Sequence, residues 1–107
     1  MRIAVPVTPA GQVDASWGRA ARVAVARVDA GQIAAWHEHD VRWDDLHDAG
    51  TEGGHHAQIA RFLIDHGITI VVANHMGPPM VQMLDGMGIQ PRLGAAGDAR
   101  LAVLVAG

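Results

Sequence analysis

The run at residues 68–73, Ile-Thr-Ile-Val-Val-Ala, limits the fold more than any other part of the chain. It is β-branched, uncharged and apolar on both faces, whereas a strand with one face in water alternates between apolar and polar residues. A strand of this kind is covered on both sides, usually by helices that connect parallel strands. The run therefore predicts a central parallel strand in an α/β domain.

The remaining patterns supply the other elements of such a domain. Apolar runs predict strands over 3–7, 22–28, 32–41 and 89–93, and helical spacing predicts helices over 54–66, from Pro78 and from Gly97-Asp98. Asp29-Ala30-Gly31 predicts a hairpin turn, and Gly67 ends the first helix. Right-handed crossovers then give a five-stranded mixed sheet in the order 3-2-1-4-5, with only strand 2 antiparallel. We expect a three-layer, ribonuclease-H-like α/β fold and a single domain over 1–107.

Composition excludes several classes of function. The net charge of -3 argues against nucleic-acid binding, and the absence of cysteine excludes disulfides and thiolate ligation of metals. No apolar stretch approaches the roughly 18 residues of a membrane span, so we expect a cytoplasmic protein without membrane contact. Strands 1 and 4 lack the carboxylates of a two-metal nuclease, and no catalytic motif occurs. A non-enzymatic protein is expected.

The predicted topology brings three segments to one edge of the sheet. The connections of parallel strands 1 and 4 leave in opposite directions, and ligands bind beyond the carboxyl ends of such strands. The candidate binding residues at this edge are Ser16, Trp17, Gly18, Arg19, Gly54, His55, His56, Asn74, His75 and Gly77. His75, His55 and His56 are the candidate metal ligands among the seven histidines of the chain.

The same edge has the character of an anion site. Two helix N-termini should direct unpaired N–H groups toward it, and Arg19 adds a positive charge. Gly54 and Gly77 allow a ligand to approach the backbone closely. An anionic metal–sulfur cluster or an oxyanion suits these groups. Met80, Met83 and Met87 lie at helical spacing and are expected to pack in the core.

The order and spacing of several segments resemble the dinitrogenase iron–molybdenum cofactor biosynthesis family. They are residues 1–7, 18–20, 54–67, 68–73, 77–78 and 84–89, so the resemblance covers nearly the whole chain. It implies the ribonuclease-H-like fold and the carrying or storage of an iron–molybdenum or related metal–sulfur cluster. Ser16 and Trp17 stand where the family often has a histidine and a phenylalanine. We hypothesise that His75, with His55 or His56, takes over as ligand.

Two alternatives remain beside a cluster carrier that delivers its cargo to an accepting or regulated protein. One is a protein-interaction or regulatory module that has lost the cluster, in which Trp17, Trp36 and Trp43 are exposed at an interface. The other is a divalent-metal protein that uses His37, His39 and His47. Strand 3 is a sheet edge, which leaves a monomer or a homodimer open.

Overall fold

A computed structural model describes residues 1–45 and 52–107 of the chain. It contains a five-stranded sheet in the order β3-β2-β1-β4-β5. The strands are β1 (Arg2–Pro6), β2 (Arg22–Asp29), β3 (Gln32–Asp40), β4 (Ile70–Val72) and β5 (Gln90–Arg92). The helices are α1 (Glu52–Asp65), α2 (Pro78–Gly86) and α3 (Ala99–Ala106). The predicted element order and sheet order are confirmed.

The directions of the strands also agree with the prediction. β2 is antiparallel to both β1 and β3, and β4 is parallel to β1 and β5. β2 and β3 are joined by a two-residue turn in which Ala30 has a φ of 53° and Gly31 a φ of 75°. Positive φ at both central residues is the geometry that follows the twist of a hairpin. The predicted turn is therefore correct.

Helices cover both faces of the sheet. Ile59 and Leu63 of α1, together with Leu84 of α2, pack on the face that carries Val71. Val103 of α3 packs on the opposite face, with Ile3, Val5, Ile70 and Val72. All three residues of β4 are buried, so the central strand is covered on both sides as its sequence predicts. No helix in the described ranges is long and apolar enough to cross a membrane.

The limits of some elements differ from the predictions. β4 spans only Ile70–Val72, although buried Ile68 and Ala73 flank it and bond through their N–H groups to Leu63 and Arg92. The last helix buries Ala99 and Val103, while most of its larger apolar side chains, including Leu101 and Val105, are exposed. The predicted loop over 42–53 is wrong at its ends, because residues 43–45 are helical and α1 already begins at Glu52; residues 46–51, which include His47, lie outside the described residues.

Candidate functional site

A cavity of about 540 Å³ opens where the three predicted segments meet. The loop after β1, the first turn of α1 and the loop between β4 and α2 each form part of its wall. The lining residues are Ala15, Ser16, Trp17, Gly18, Arg19, His55, His56, His75, Met76, Gly77, Pro79 and Met80. The convergence follows from the topology, because these segments lie at the carboxyl edge of parallel strands β1 and β4.

The loop after β1 is held in place by its own hydrogen bonds and by a buried tryptophan. The Ser16 N–H donates to Asp14 Oδ1 at 3.0 Å, and the Ala20 N–H donates to the Trp17 carbonyl at 3.1 Å. Trp17 is only 2% exposed, and its ring packs edge-on against Trp43 with centroids 5.2 Å apart. The loop is therefore anchored in the core while Ser16, Gly18 and Arg19 face the cavity.

Two histidines in the first turn of α1 form the second wall. His55 is buried and His56 is half-buried, and their ring centroids are 6.0 Å apart. A Cβ atom built on Gly18 would lie 3.6 Å from His55 Cε1, so the first loop lies directly against this imidazole. The absence of a side chain at Gly18 thus leaves the first loop close to the imidazole of His55.

The third wall differs from the prediction in its hydrogen-bond donors. α2 begins at Pro78-Pro79, which have no N–H, and the N–H groups of Met80 and Val81 both bond to the Gly77 carbonyl. The expected unpaired N–H groups of this helix N-terminus are therefore absent. The wall instead presents the exposed imidazole of His75.

Backbone amides outside the helices take over as donors. Among the residues that the structure describes, the N–H groups of 17–19 and 75–77 form no hydrogen bond with the chain. Successive backbone N–H groups in a loop make a concave site for anions. Both segments border the cavity, so the wall carries unpaired donors on two sides.

The titratable side chains of the described wall are all basic. The described lining includes Arg19 and three histidines but no Asp or Glu, although the whole chain has a net charge of -3. Arg19 is exposed and has no salt-bridge partner among the described residues. A positive side chain and unpaired N–H groups favour an anionic ligand at this cavity.

The structure brings together most of the predicted binding residues. Gly54 lies in the first turn of α1 beside His55 but is not among the described residues that line the cavity. Asn74 does not line it either, and its side-chain Nδ2 donates to the Ala95 carbonyl at 3.0 Å, which fastens the end of β4 to the loop after β5. Sequence reasoning missed Met76, and it assigned Met80 to the core alone. Both are buried, yet both line the cavity with their neighbours.

The described residues of the cavity do not form a complete metal-binding set of side chains. In residues 1–45 and 52–107, no three of His, Asp and Glu are placed to hold one metal ion. Imidazole nitrogens and the thioethers of Met76 and Met80 are the available donors, and they suit soft or borderline metals. A ligand that brings its own sulfur atoms would need few protein ligands and could accept hydrogen bonds from the amides.

The tryptophans do not form the exposed interface that the interaction-module alternative requires. Trp17 and Trp43 are each 2% exposed and pack against each other. Trp36 is half-buried beneath the guanidinium of Arg100, which lies 4.5 Å from the ring centroid. That prediction is wrong for Trp17 and Trp43, because the loops that carry them fold back onto the core through the hydrogen bond from the Trp43 N–H to the Ala20 carbonyl.

Comparison with known proteins places the chain in a family. The family described as dinitrogenase iron-molybdenum cofactor matches residues 1–105. The chain belongs to this family. The matched range includes all three segments that form the cavity.

Two solved structures are similar to this member of the family. The apo form of the orange protein from Desulfovibrio gigas is 28% identical, with a TM-score of 0.73, over 95% of this chain and 82% of that one. PH0822 is 21% identical, with a TM-score of 0.76, over 99% of this chain and 88% of that one. The likeness to PH0822 supports the fold. No curated protein matches the chain.

Proposed function

We propose that this protein is a non-enzymatic carrier that binds an anionic metal–sulfur cluster of the iron–molybdenum cofactor type in the cavity described above. The observation that carries the proposal is the wall itself, which is lined by Arg19 and by residues whose backbone amides have no hydrogen bond, and which has no carboxylate among its described residues. Membership of the dinitrogenase iron-molybdenum cofactor family supports the same class of cargo. We also propose that residues 1–107 form one domain with a ribonuclease-H-like fold.

Each group of residues has a separate role in the proposed site. His75, His55 and His56 offer imidazole nitrogens to the metal ions of the cargo, and His75 is the most accessible because it is exposed. The amides of 17–19 and 75–77 donate to its sulfur or oxygen atoms, and Arg19 balances its negative charge. Ser16 is a poor ligand for a soft metal, so we assign it to hydrogen bonding.

The test is anaerobic loading with tetrathiomolybdate and ferrous iron. The protein is desalted, and visible absorption and metal content are measured for the wild type and for His75→Ala. His37→Ala is the matched control, because His37 is exposed on β3 and does not line the cavity. We expect coloured, stoichiometric loading in the wild type and in the control, with loss in His75→Ala.

Two outcomes would contradict the proposal. Full retention of metal in His75→Ala would remove this histidine from the site. Absence of retained metal in the wild type would reject the carrier and favour the interaction module. Trp17 and Trp43 could not then form the interface, but the exposed Leu93, Leu101 and Val105 near the end of β5 and on α3 could.

A further inference from the structure

A second group of imidazoles lies away from the cavity, where β3 meets the end of α1. The rings of His39 and His66 have centroids 4.6 Å apart and are tilted by 52°. Phe62 contacts both, with centroid distances of 4.4 Å to His66 and 5.6 Å to His39. Both histidines are half-buried, and none of these three residues lines the cavity. The contact therefore belongs to a separate surface.

Strand register and helix geometry explain why these rings meet. His37 and His39 pair with Val25 and Val23 of β2, and both valines belong to the core under α1. Cross-strand partners share a face of the sheet, so both histidines stand on the α1 side of β3. His66 follows the last residue of α1, and side chains there lean back toward the helix N-terminus. That direction brings its ring onto His39.

The nitrogen atoms of this pair are free to act as ligands. Within the described ranges, neither ring forms a hydrogen bond or ion pair with a protein group. Neighbouring carboxylates are engaged elsewhere, because Asp40 pairs with Arg22 at 3.0 Å and Asp65 pairs with Arg61 at 3.1 Å. Packing on Phe62 accounts for the ring contacts but uses none of the nitrogen lone pairs.

The spacing of the two rings fits a shared metal ion. A metal–nitrogen bond of about 2.0–2.1 Å puts each ring centre about 3.2 Å from the metal, so a tetrahedral pair would have ring centres about 5.2 Å apart. Rings 4.6 Å apart correspond to a nitrogen–metal–nitrogen angle of about 90°. Rotation about the side-chain bonds and a shift of a few tenths of an ångström would direct both nitrogens to one point.

We propose that His39 and His66 form an open, two-imidazole site for a divalent transition-metal ion of the Zn²⁺, Ni²⁺ or Cu²⁺ class. Imidazole suits these ions. No third His, Asp or Glu of the described residues is placed to complete the set, so water fills the remaining positions. The two proposed sites differ in their ligands, because this one binds a bare cation and the cavity binds an anion.

The test is titration of untagged protein with Ni²⁺ and with Zn²⁺, followed by calorimetry and by NMR of the histidine rings. We expect one equivalent to bind, with ring signals of His39 and His66 perturbed. His39→Gln and His66→Gln should each weaken binding by at least about tenfold, because each removes a ligand. Circular dichroism of each variant checks that it is folded.

His37→Gln is the matched control and should leave this binding unchanged, because His37 is exposed on the same strand and is not part of the pair. Unaltered affinity in both His39→Gln and His66→Gln would overturn the proposal, and so would loss of binding in His37→Gln. His66→Gln should still load tetrathiomolybdate and iron. Failure of the cation site and failure of the cluster carrier therefore give different results.

Discussion

Replacement of Trp17 by phenylalanine tests the energetic cost of a buried indole N–H group. Trp17 Nε1 is buried and has no hydrogen-bond partner among the residues that the structure describes. Trp43 is the matched control, because it is also 2% exposed and packs against Trp17. Its indole nitrogen differs from that of Trp17, because it is not among the buried nitrogens that lack a hydrogen-bond partner. The pair of variants isolates the effect of one N–H group.

The expected effect is a difference between the two variants in the free energy of unfolding. Each loses part of a buried ring, which costs about 2 kcal/mol. A buried donor without an acceptor costs about 1–3 kcal/mol, and Trp17→Phe removes that cost. Trp17→Phe should therefore be milder than Trp43→Phe by about 1–3 kcal/mol. At about 4–8 °C per kcal/mol, the melting temperatures should differ by at least about 4 °C.

Urea unfolding followed by circular dichroism gives the free energies, and calorimetry gives the melting temperatures. Phenylalanine at position 43 keeps a ring against Phe62, whose centroid lies 5.6 Å from that of Trp43, so this contact does not dominate the comparison. Equal or greater destabilisation by Trp17→Phe would refute the reasoning, because the indole N–H would then have a partner in solution.

Two further predictions concern the stability of the domain. Asp98→Ala should lower the free energy of unfolding by about 1 kcal/mol in urea, because Asp98 caps α3 by accepting from the Leu101 N–H at 2.9 Å; Asp98→Asn should retain most of it. Burial and the charge of His66 lower the pKa of His39, so the unfolded chain binds this proton more tightly than the folded one. In metal-free buffer, stability should be complete above about pH 6.5 and fall as the pH drops below it. His39→Gln should flatten that dependence, and an unchanged slope would contradict the assignment.

The sheet order could be predicted because each strand of this chain carries its own evidence. Residues 68–73 are apolar on both faces and must lie centrally, and Ala30-Gly31 fixes the hairpin. Right-handed crossovers then leave one arrangement. The meeting of His55 and His75 at one edge follows from that arrangement, although no sequence spacing links them.

Contacts that depend on loops could not be predicted in this way. Trp43 is buried because its N–H bonds to the Ala20 carbonyl, a long-range contact that leaves no pattern in the sequence. The pairing of His39 with His66 depends on how α1 crosses the sheet, which periodicity does not specify. The missing hydrogen-bond donors at the start of α2 could have been predicted from the sequence, because Pro78 and Pro79 have no N–H group.

The amides at 17–19 and 75–77 have a consequence for how such a site changes over evolutionary time. A side-chain substitution leaves the main-chain N–H in place, unless the new residue is proline. Anion affinity that depends on these groups would therefore survive replacement of the side chains around them. At Ser16 and Trp17, for example, the side chains can change while the backbone N–H of residue 17 is kept. The proposed site can then keep its anion receptor while the side chains that select its metals change.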